Sequence, residues 1–541
     1  MNKLRKLSAF ILVCLMVLSV AACAERETPQ QTDTATPTPD VSTQSIGEGG
    51  MSIDSDAEAV ESDRVLRVAV SQDSGTLYPY SCTAFGFSGV ARTFQDVLFD
   101  YKSNGDIEYL LATGWEEGDG ENRYTLHLRQ GVTFTNGNPF TAEDVIFSME
   151  VSNEHPQYFS NVDSIDFEKT VIIDDYTIDL QFTHLDIGQF PGLMLMYIYD
   201  KESFDEQAMA TQSIGTGPYY VTDYVTNSHV HVEANPNYWG EQPTIQKIEF
   251  SVIDEAAQTI NALTIGQVDF SRIQSDDYEY VSTLGNYKVW PTMSGSAALA
   301  YFNCAEGSIL GTVEARKAIC HAIDTETINL VCYDNLSRQP RWPNSEACLD
   351  FEERFVDPSD DVYGVGYDPE LAKAEVEAAG IAGQKIRIMT NGTENFILMA
   401  EIIEQDLKAV GLEAEIINYD QATYWGLLMD ESNFEIALYM NGSPKNLCLD
   451  MYPAYLEFFG LGLVGNAKRE AFVALGNRGL ATADEQERSD ILNQLGRDFN
   501  EITAWYAMAE NLALQAVSND LGTIEKYNDG EVRYAHWYWV N

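Results

Sequence analysis

Two hydrophobic periods divide this chain. In the first half the period is close to two. Val65 to Val70 alternates and predicts a strand. Tyr124, Leu126 and Leu128 fall on one face of a second strand, with His127 and Arg129 on the other. Asn136-Gly137 is a strong turn signal between Val132-Thr-Phe134 and Phe140. Thr141 to Asp144 has the pattern of a capping box, so a helix is expected through Val145-Ile-Phe147. Thr170 to Phe182 predicts a hairpin around Asp174-Asp175.

In the second half the period lengthens to that of a helix. Phe396, Met399, Ala400, Ile403, Leu407 and Val410 share one stripe over Glu394–Val410, and Gly411 stops it. Short strands flank this helix at Lys385–Met389 and Ala414–Ile417. Strand, helix and strand make a βαβ unit, which requires parallel pairing. Phe434–Met440 adds another strand. Helices also fit 312–323, 368–379 and 484–503. A β-rich lobe therefore precedes an α/β lobe, a mixed α/β (α+β) class.

Composition narrows the function. The 541 residues allow two to four domains, and 45% hydrophobic content supplies their cores. The 84 acidic and 32 basic side chains leave a net charge of −52, which excludes phosphate backbones as partners and favours steering of cationic ligands. Lys3, Arg5 and Lys6 precede an apolar run too short to span a membrane, which ends at Val20-Ala21-Ala22-Cys23. That ending resembles a bacterial lipobox. It marks residues 1–22 as a signal peptide and Cys23 as the lipid attachment point. Residues 23–63, rich in Thr, Pro, Ser, Gly and acids, read as a disordered tether. Six further cysteines (Cys82, Cys304, Cys320, Cys332, Cys348 and Cys448) could pair in fifteen ways or stay as buried thiols.

Several motifs, in order, resemble the family 5 extracellular solute-binding proteins, the dipeptide, oligopeptide and nickel-binding components of ABC importers. They begin with Trp115, Tyr124–Phe134, Asn136–Pro139 and Thr141–Ser148. Gly215-Thr-Gly-Pro-Tyr219 and Asn235-Pro-Asn-Tyr-Trp-Gly240 follow. Leu263–Asp269, Tyr301-Phe-Asn303, Glu314–Ile319 with Ala322–Asp324, and Tyr367–Ala372 running on to Gly380 complete the series. The resemblance implies a two-lobed periplasmic-binding-protein-like fold with a hinge and an interlobe ligand cleft. One lobe would take 64–290 and 505–541, with a subdomain inserted at about 96–210. The other would take 296–504.

The same resemblance implies a monomer without cofactor or catalysis. It would bind a small solute, most simply a peptide, and hand it to ABC permease and ATPase subunits. Its place would be the extracytoplasmic face of the cell envelope, held to the membrane by the N-terminal lipid. Ligand contacts would come from Tyr80, Thr83 and Phe85, from Asn303, and from Tyr439, Asn441 and Ser443. The loops depart from the peptide-binding pattern, so either longer peptides bind mainly by backbone hydrogen bonds or the ligand is not a peptide but a sugar or metal chelate. A secreted enzyme on the same anchor is the other class of reading. No Asp stands in Asn441–Asn446, and no Arg in Thr390–Asn395. Arg338 and Arg341 could supply charge or sit on the surface, and Arg316 is expected to pair with an acid. The glycines at 215 and 217 could bring main chain to the cleft. His229-Val-His231 places two imidazoles on one strand face. A metal there would need a third ligand, so a solvated face is the simpler reading. No Gly-x-Ser-x-Gly and no P-loop occur.

Overall fold

Buried Leu66 and Val68 open the first strand of a broad mixed sheet. The structure is a computed structural model. It describes residues 59–540 except for scattered positions and for 82–87, 103–106, 156–161, 186–192, 356–365, 429–432, 442–448, most of 450–461 and 524–531. Cys23, the signal peptide and most of the tether lie outside the described residues, as do Thr83, Phe85, Ser443, Cys82 and Cys448.

The first strands are β1 (Leu66–Val70), β2 (Phe99–Tyr101), β3 (Ile107–Tyr109), β4 (Ala112–Glu117) and β5 (Arg123–Leu128). Next come β6 (Val171–Asp174), β7 (Thr177–Gln181), β8 (Tyr219–Val225), β9 (His229–Ala234), β10 (Lys247–Val252) and β11 (Phe270–Ile273). The long β12 (Tyr287–Phe302) leads to β13 (Ser337–Arg338), β14 (Lys385–Thr390), β15 (Glu413–Asn418) and β16 (Ile436–Asn441). The chain ends with β17 (Trp505–Ser518), β18 (Leu521–Thr523) and β19 (Trp537–Trp539). The main sheet runs β15-β14-β16-β12-β17-β11-β1-β10-β9-β8, with β13 also paired to β17. A separate four-stranded sheet runs β4-β5-β7-β6.

The expected elements have physical causes that the structure makes visible. Gly137 takes a φ of 93° and closes the turn after Phe134. The Thr141 amide and hydroxyl both donate to the Asp144 carboxylate at the start of helix Ala142–Asn153. β14 and β15 pair in parallel around helix Glu394–Ala409, whose buried face is the predicted stripe. The helix expected over 484–503 is shorter, Glu485–Phe499. Past Phe499 the bonds tighten to i→i−3 turns at Asn500, Glu501 and Ile502, and Thr503 takes a φ of 45° that a helix cannot continue.

Three large apolar cores form. One gathers Leu299, Ile388, Ile403 and Trp505 beside β12, β14 and β16. A second fills the four-stranded sheet with Leu126, Ile178, Val145 and Met149. A third joins Leu66, Phe250 and Phe270 to Trp537 and Trp539 from the C-terminus. Cys320 and Cys332 are free thiols buried in the first core. Burial raises both, Cys332 to about 11, so neither is a ready nucleophile. Among the described residues no helix is long and apolar enough to cross a membrane.

Candidate functional site

β12 and β17 are the two strands common to both halves of the main sheet. Their lower ends pair together while β17 also holds β11, and their upper ends pair while β12 also holds β16. The register breaks between Met293 and Ala297, where Gly295 has a φ of 70°. A glycine meets that left-handed conformation at no steric cost, and the break lets the sheet change direction.

Just above the break, Ala297 stands between Asn441 of β16 and Glu510 of β17, and Glu510 faces Arg338 of β13. Antiparallel partners share a face, so Asn441, Glu510 and Arg338 form one polar row across the sheet. Glu510 is fully buried, and burial pushes its carboxyl up to about 7. The Ser345 hydroxyl donates to it, and Arg338 approaches at 3.5 Å. Glu346 takes Arg338 at 3.0 Å and accepts two guanidinium bonds from Arg341, at 2.7 and 3.2 Å. Both arginines are thus paired within the protein, Arg338 half-buried and Arg341 exposed on the surface with its side chain 46% accessible. Arg338 Nε has no acceptor among the described residues. Arg387 of β14 is likewise held by Glu435, at 2.7 and 2.9 Å.

Aromatic rings flank this row. Asn441 donates to the Tyr301 hydroxyl at 2.9 Å. Tyr301 lies 6.0 Å from Tyr439, and Trp425 meets Tyr439 edge-on at 5.2 Å. Tyr439 is half-buried and Trp425 is 37% exposed, so the rings form a step open to solvent. Such a step can stack on apolar or planar groups, while the amide and hydroxyl beside it orient polar ones.

The other predicted residues divide. Tyr80 joins a buried aromatic group instead of an open wall. It stacks on His155 at 5.5 Å and touches the rings of Tyr78 and Tyr199. Burial pushes its hydroxyl up to about 12. Asn303 lies at the opposite end of the β12–β16 pair from Asn441. Its amide donates to the Phe434 carbonyl and accepts from the Ala305 amide. Gly215 and Gly217 serve close packing on helix Ser88–Phe94. A Cβ on either would meet the Phe94 backbone, at 2.0 and 2.6 Å. Asn235 donates to the Gly217 carbonyl, and Trp239 to Asp96. Arg316 corrects its expectation, because it donates to the carbonyls of Leu310, Ile502 and Thr503 and not to an acid. Sequence reasoning passed over Trp425, Ser345, Glu346 and Glu510. Only Glu510 left a trace, as a charge ending the apolar run Trp505–Ala509.

A two-lobed α/β scaffold, with shared strands crossing beside a polar row and an aromatic step, defines a solute-binding protein. The chain belongs to the bacterial extracellular solute-binding proteins, family 5, whose middle region matches residues 106–452. That is a family of extracellular binding proteins. The chain is 24% identical over 462 residues to Heme-binding protein A of Haemophilus influenzae, covering 77% of this chain and 81% of that one. It is also 24% identical over 394 residues to the Dipeptide-binding protein of Escherichia coli, covering 63% and 69%. The ABC transporter substrate-binding protein CtaP of Listeria monocytogenes has the same fold. Its TM-score is 0.76 at 20% identity, over 88% of this chain and 99% of that one.

Proposed function

We propose that this protein is a lipid-anchored peptide receptor of an ABC importer. The observation that carries the reading is the solvent-open step of Trp425 and Tyr439 beside Asn441, next to the crossing strands. A ligand seated there touches the α/β lobe, and rotation about the register break in β12 and β17 brings the other lobe over it. Residues 64–290 with 505–541 act as one lobe, and 296–504 as the other. Thr83, Phe85 and Ser443, outside the described residues, are proposed as further ligand contacts. The closed form docks on the permease, and partner subunits supply the ATP-driven step. Cys23 carries the lipid, the tether of residues 23–63 gives reach, and the receptor works as a monomer without catalysis.

Near the step, Arg338 is paired with Glu346 and Glu510, and Arg341 with Glu346. A free cation to clamp a peptide's carboxylate is missing from that set. Main-chain hydrogen bonds and ring contacts then dominate, so affinity grows with peptide length and dipeptides bind weakly. Similarity to the Dipeptide-binding protein of Escherichia coli, at 24% identity, supports the ligand class.

Thermal unfolding of the mature protein with dipeptides, penta- to octapeptides, sugars and metal chelates tests this. A ligand present at a hundredfold over its Kd adds about 2.7 kcal/mol. The expected result is a shift with the longer peptides. Silence from every peptide with a response to sugars or chelates overturns the ligand class, and turnover of any of them overturns the receptor reading. For the anchor, Cys23→Ala should release the protein from the membrane.

A further inference from the structure

β8 is the edge strand of the main sheet, and β9 is its neighbour. On β9, His229 and His231 lie two residues apart and share a face. Their rings stack at 4.3 Å and 23°. Across from them, Val221 of β8 pairs with buried Val232, but the next pair is Asp223 with His231. Thr222 is the extra residue of a bulge. Without it, regular alternation would turn Asp223 toward the core. The bulge turns the carboxylate onto the imidazole face, as bulges re-aim side chains elsewhere.

The third ligand that the sequence pattern lacked is therefore present. One ligand atom from each of Asp223, His229 and His231 lies within 4.8 Å of the others. His229 Nε2 is 3.0 Å from the Asp223 carboxylate. Ser228 Oγ sits 3.0 Å from His229 Nδ1, a support that orients the ring with Nε2 toward the carboxylate. Glu249 of β10 stands opposite His231 and adds negative charge to the same face. In a zinc site with ligands at about 2.0–2.2 Å, the donor atoms stand roughly 3.3 Å apart, which small side-chain rotations reach here.

We propose that Asp223, His229 and His231 bind one divalent transition-metal ion, of the zinc, nickel or copper class, on the exposed face of this sheet edge. Imidazole suits these ions, and carboxylate completes a three-ligand set with positions left for water or a further ligand. The ion would clasp β8 to β9.

The test is titration of the untagged full chain, stripped by chelator, with Zn2+ by calorimetry and with Cu2+ followed by electron paramagnetic resonance. The expected result is one tight equivalent whose copper spectrum carries coupling to two imidazole nitrogens. His229→Gln or His231→Gln should remove one nitrogen and weaken binding by about tenfold or more. Asp223→Asn should weaken binding while keeping both nitrogens. The side chains are exposed or half-buried, so the variants should unfold like the parent without metal and lose only the zinc-induced shift. Equal binding by the His229→Gln/His231→Gln double variant, or no saturable binding by the parent, overturns the proposal. No peptide is needed, so the outcome is independent of the uptake reading.

Discussion

The two ends of the β12–β16 pair bury polar groups in different ways. At one end, Asn303 and Arg316 are bonded to main chain: Asn303 to Phe434 and Ala305, Arg316 to three carbonyls. At the other end, about 20 Å along the strand, Asn441, Glu510 and Arg338 are bonded to or paired mainly with side chains, the Glu346 amide adding one long bond to Glu510. Main-chain partners are fixed by the fold, so removing the side chain leaves orphan groups and costs stability. Side-chain partners can exchange when a ligand arrives. The kind of partner, more than burial, separates a structural polar residue from one available for binding.

The largest effect should come from Arg316→Leu. Three buried carbonyls lose their donor, and each such loss costs about 1–3 kcal/mol. Urea unfolding should show a deficit of about 3 kcal/mol or more. A variant of normal stability that no longer responds to peptide would erase the distinction between the two ends.

Glu510 gives the next effect, and its sign is set by burial. Its carboxyl is pushed up from an ordinary 4.5 to about 7, so the folded protein holds this proton more tightly than the unfolded chain. The contribution to stability is complete below about 4.5 and is lost as pH rises through about 7, on the order of 3 kcal/mol. Asp96 and Asp406, both pushed up to about 6 by burial, act in the same direction. The difference between the parent and Glu510→Gln isolates Glu510, because Gln keeps an acceptor for Ser345. The variant should lose part of the fall in stability over that range. An unchanged pH profile would mean that the row is wet.

Paired amide substitutions sharpen the comparison. Asn303→Ala should cost about 2 kcal/mol and leave peptide affinity of the folded protein intact. Asn441→Ala, losing one bond to Tyr301, should cost about 1 kcal/mol and reduce affinity. Calorimetric binding beside urea unfolding reads both; equal affinity losses would put the two asparagines in one class.

Strand and helix positions were legible because period two and period 3.6 need only neighbouring residues. Leu126 and Leu128 of β5 and the stripe of helix Glu394–Ala409 were readable for that reason. The family motifs were legible too, but the structure gives many of them packing duties, as with Gly215, Asn235 and Trp239. The polar row was not legible. Asn441, Glu510 and Arg338 lie far apart in sequence, and only the register of β16, β12, β17 and β13 aligns them. Asp223 escaped for a related reason, since a one-residue bulge decides which face it joins. Asn303 and Asn441 look alike in sequence, and only their partners distinguish them.

The smallest stability effect, and the cleanest separation, belongs to Trp425. It is 37% exposed on helix Gln421–Leu428, and its ring meets Tyr439 edge-on. Trp425→Ala removes a partly solvated ring, so the stability change should stay within about 1 kcal/mol, most of it the lost aromatic pair. A wall residue of the ligand site loses more on binding than on folding, because the ligand covers the exposed part of the ring. Peptide affinity should fall by about tenfold, equal to about 1.4 kcal/mol. Trp425→Phe should recover most of it. Stability and affinity lost in equal measure would make the step ordinary surface packing. Affinity untouched in both variants would move the binding surface away from this end of β16.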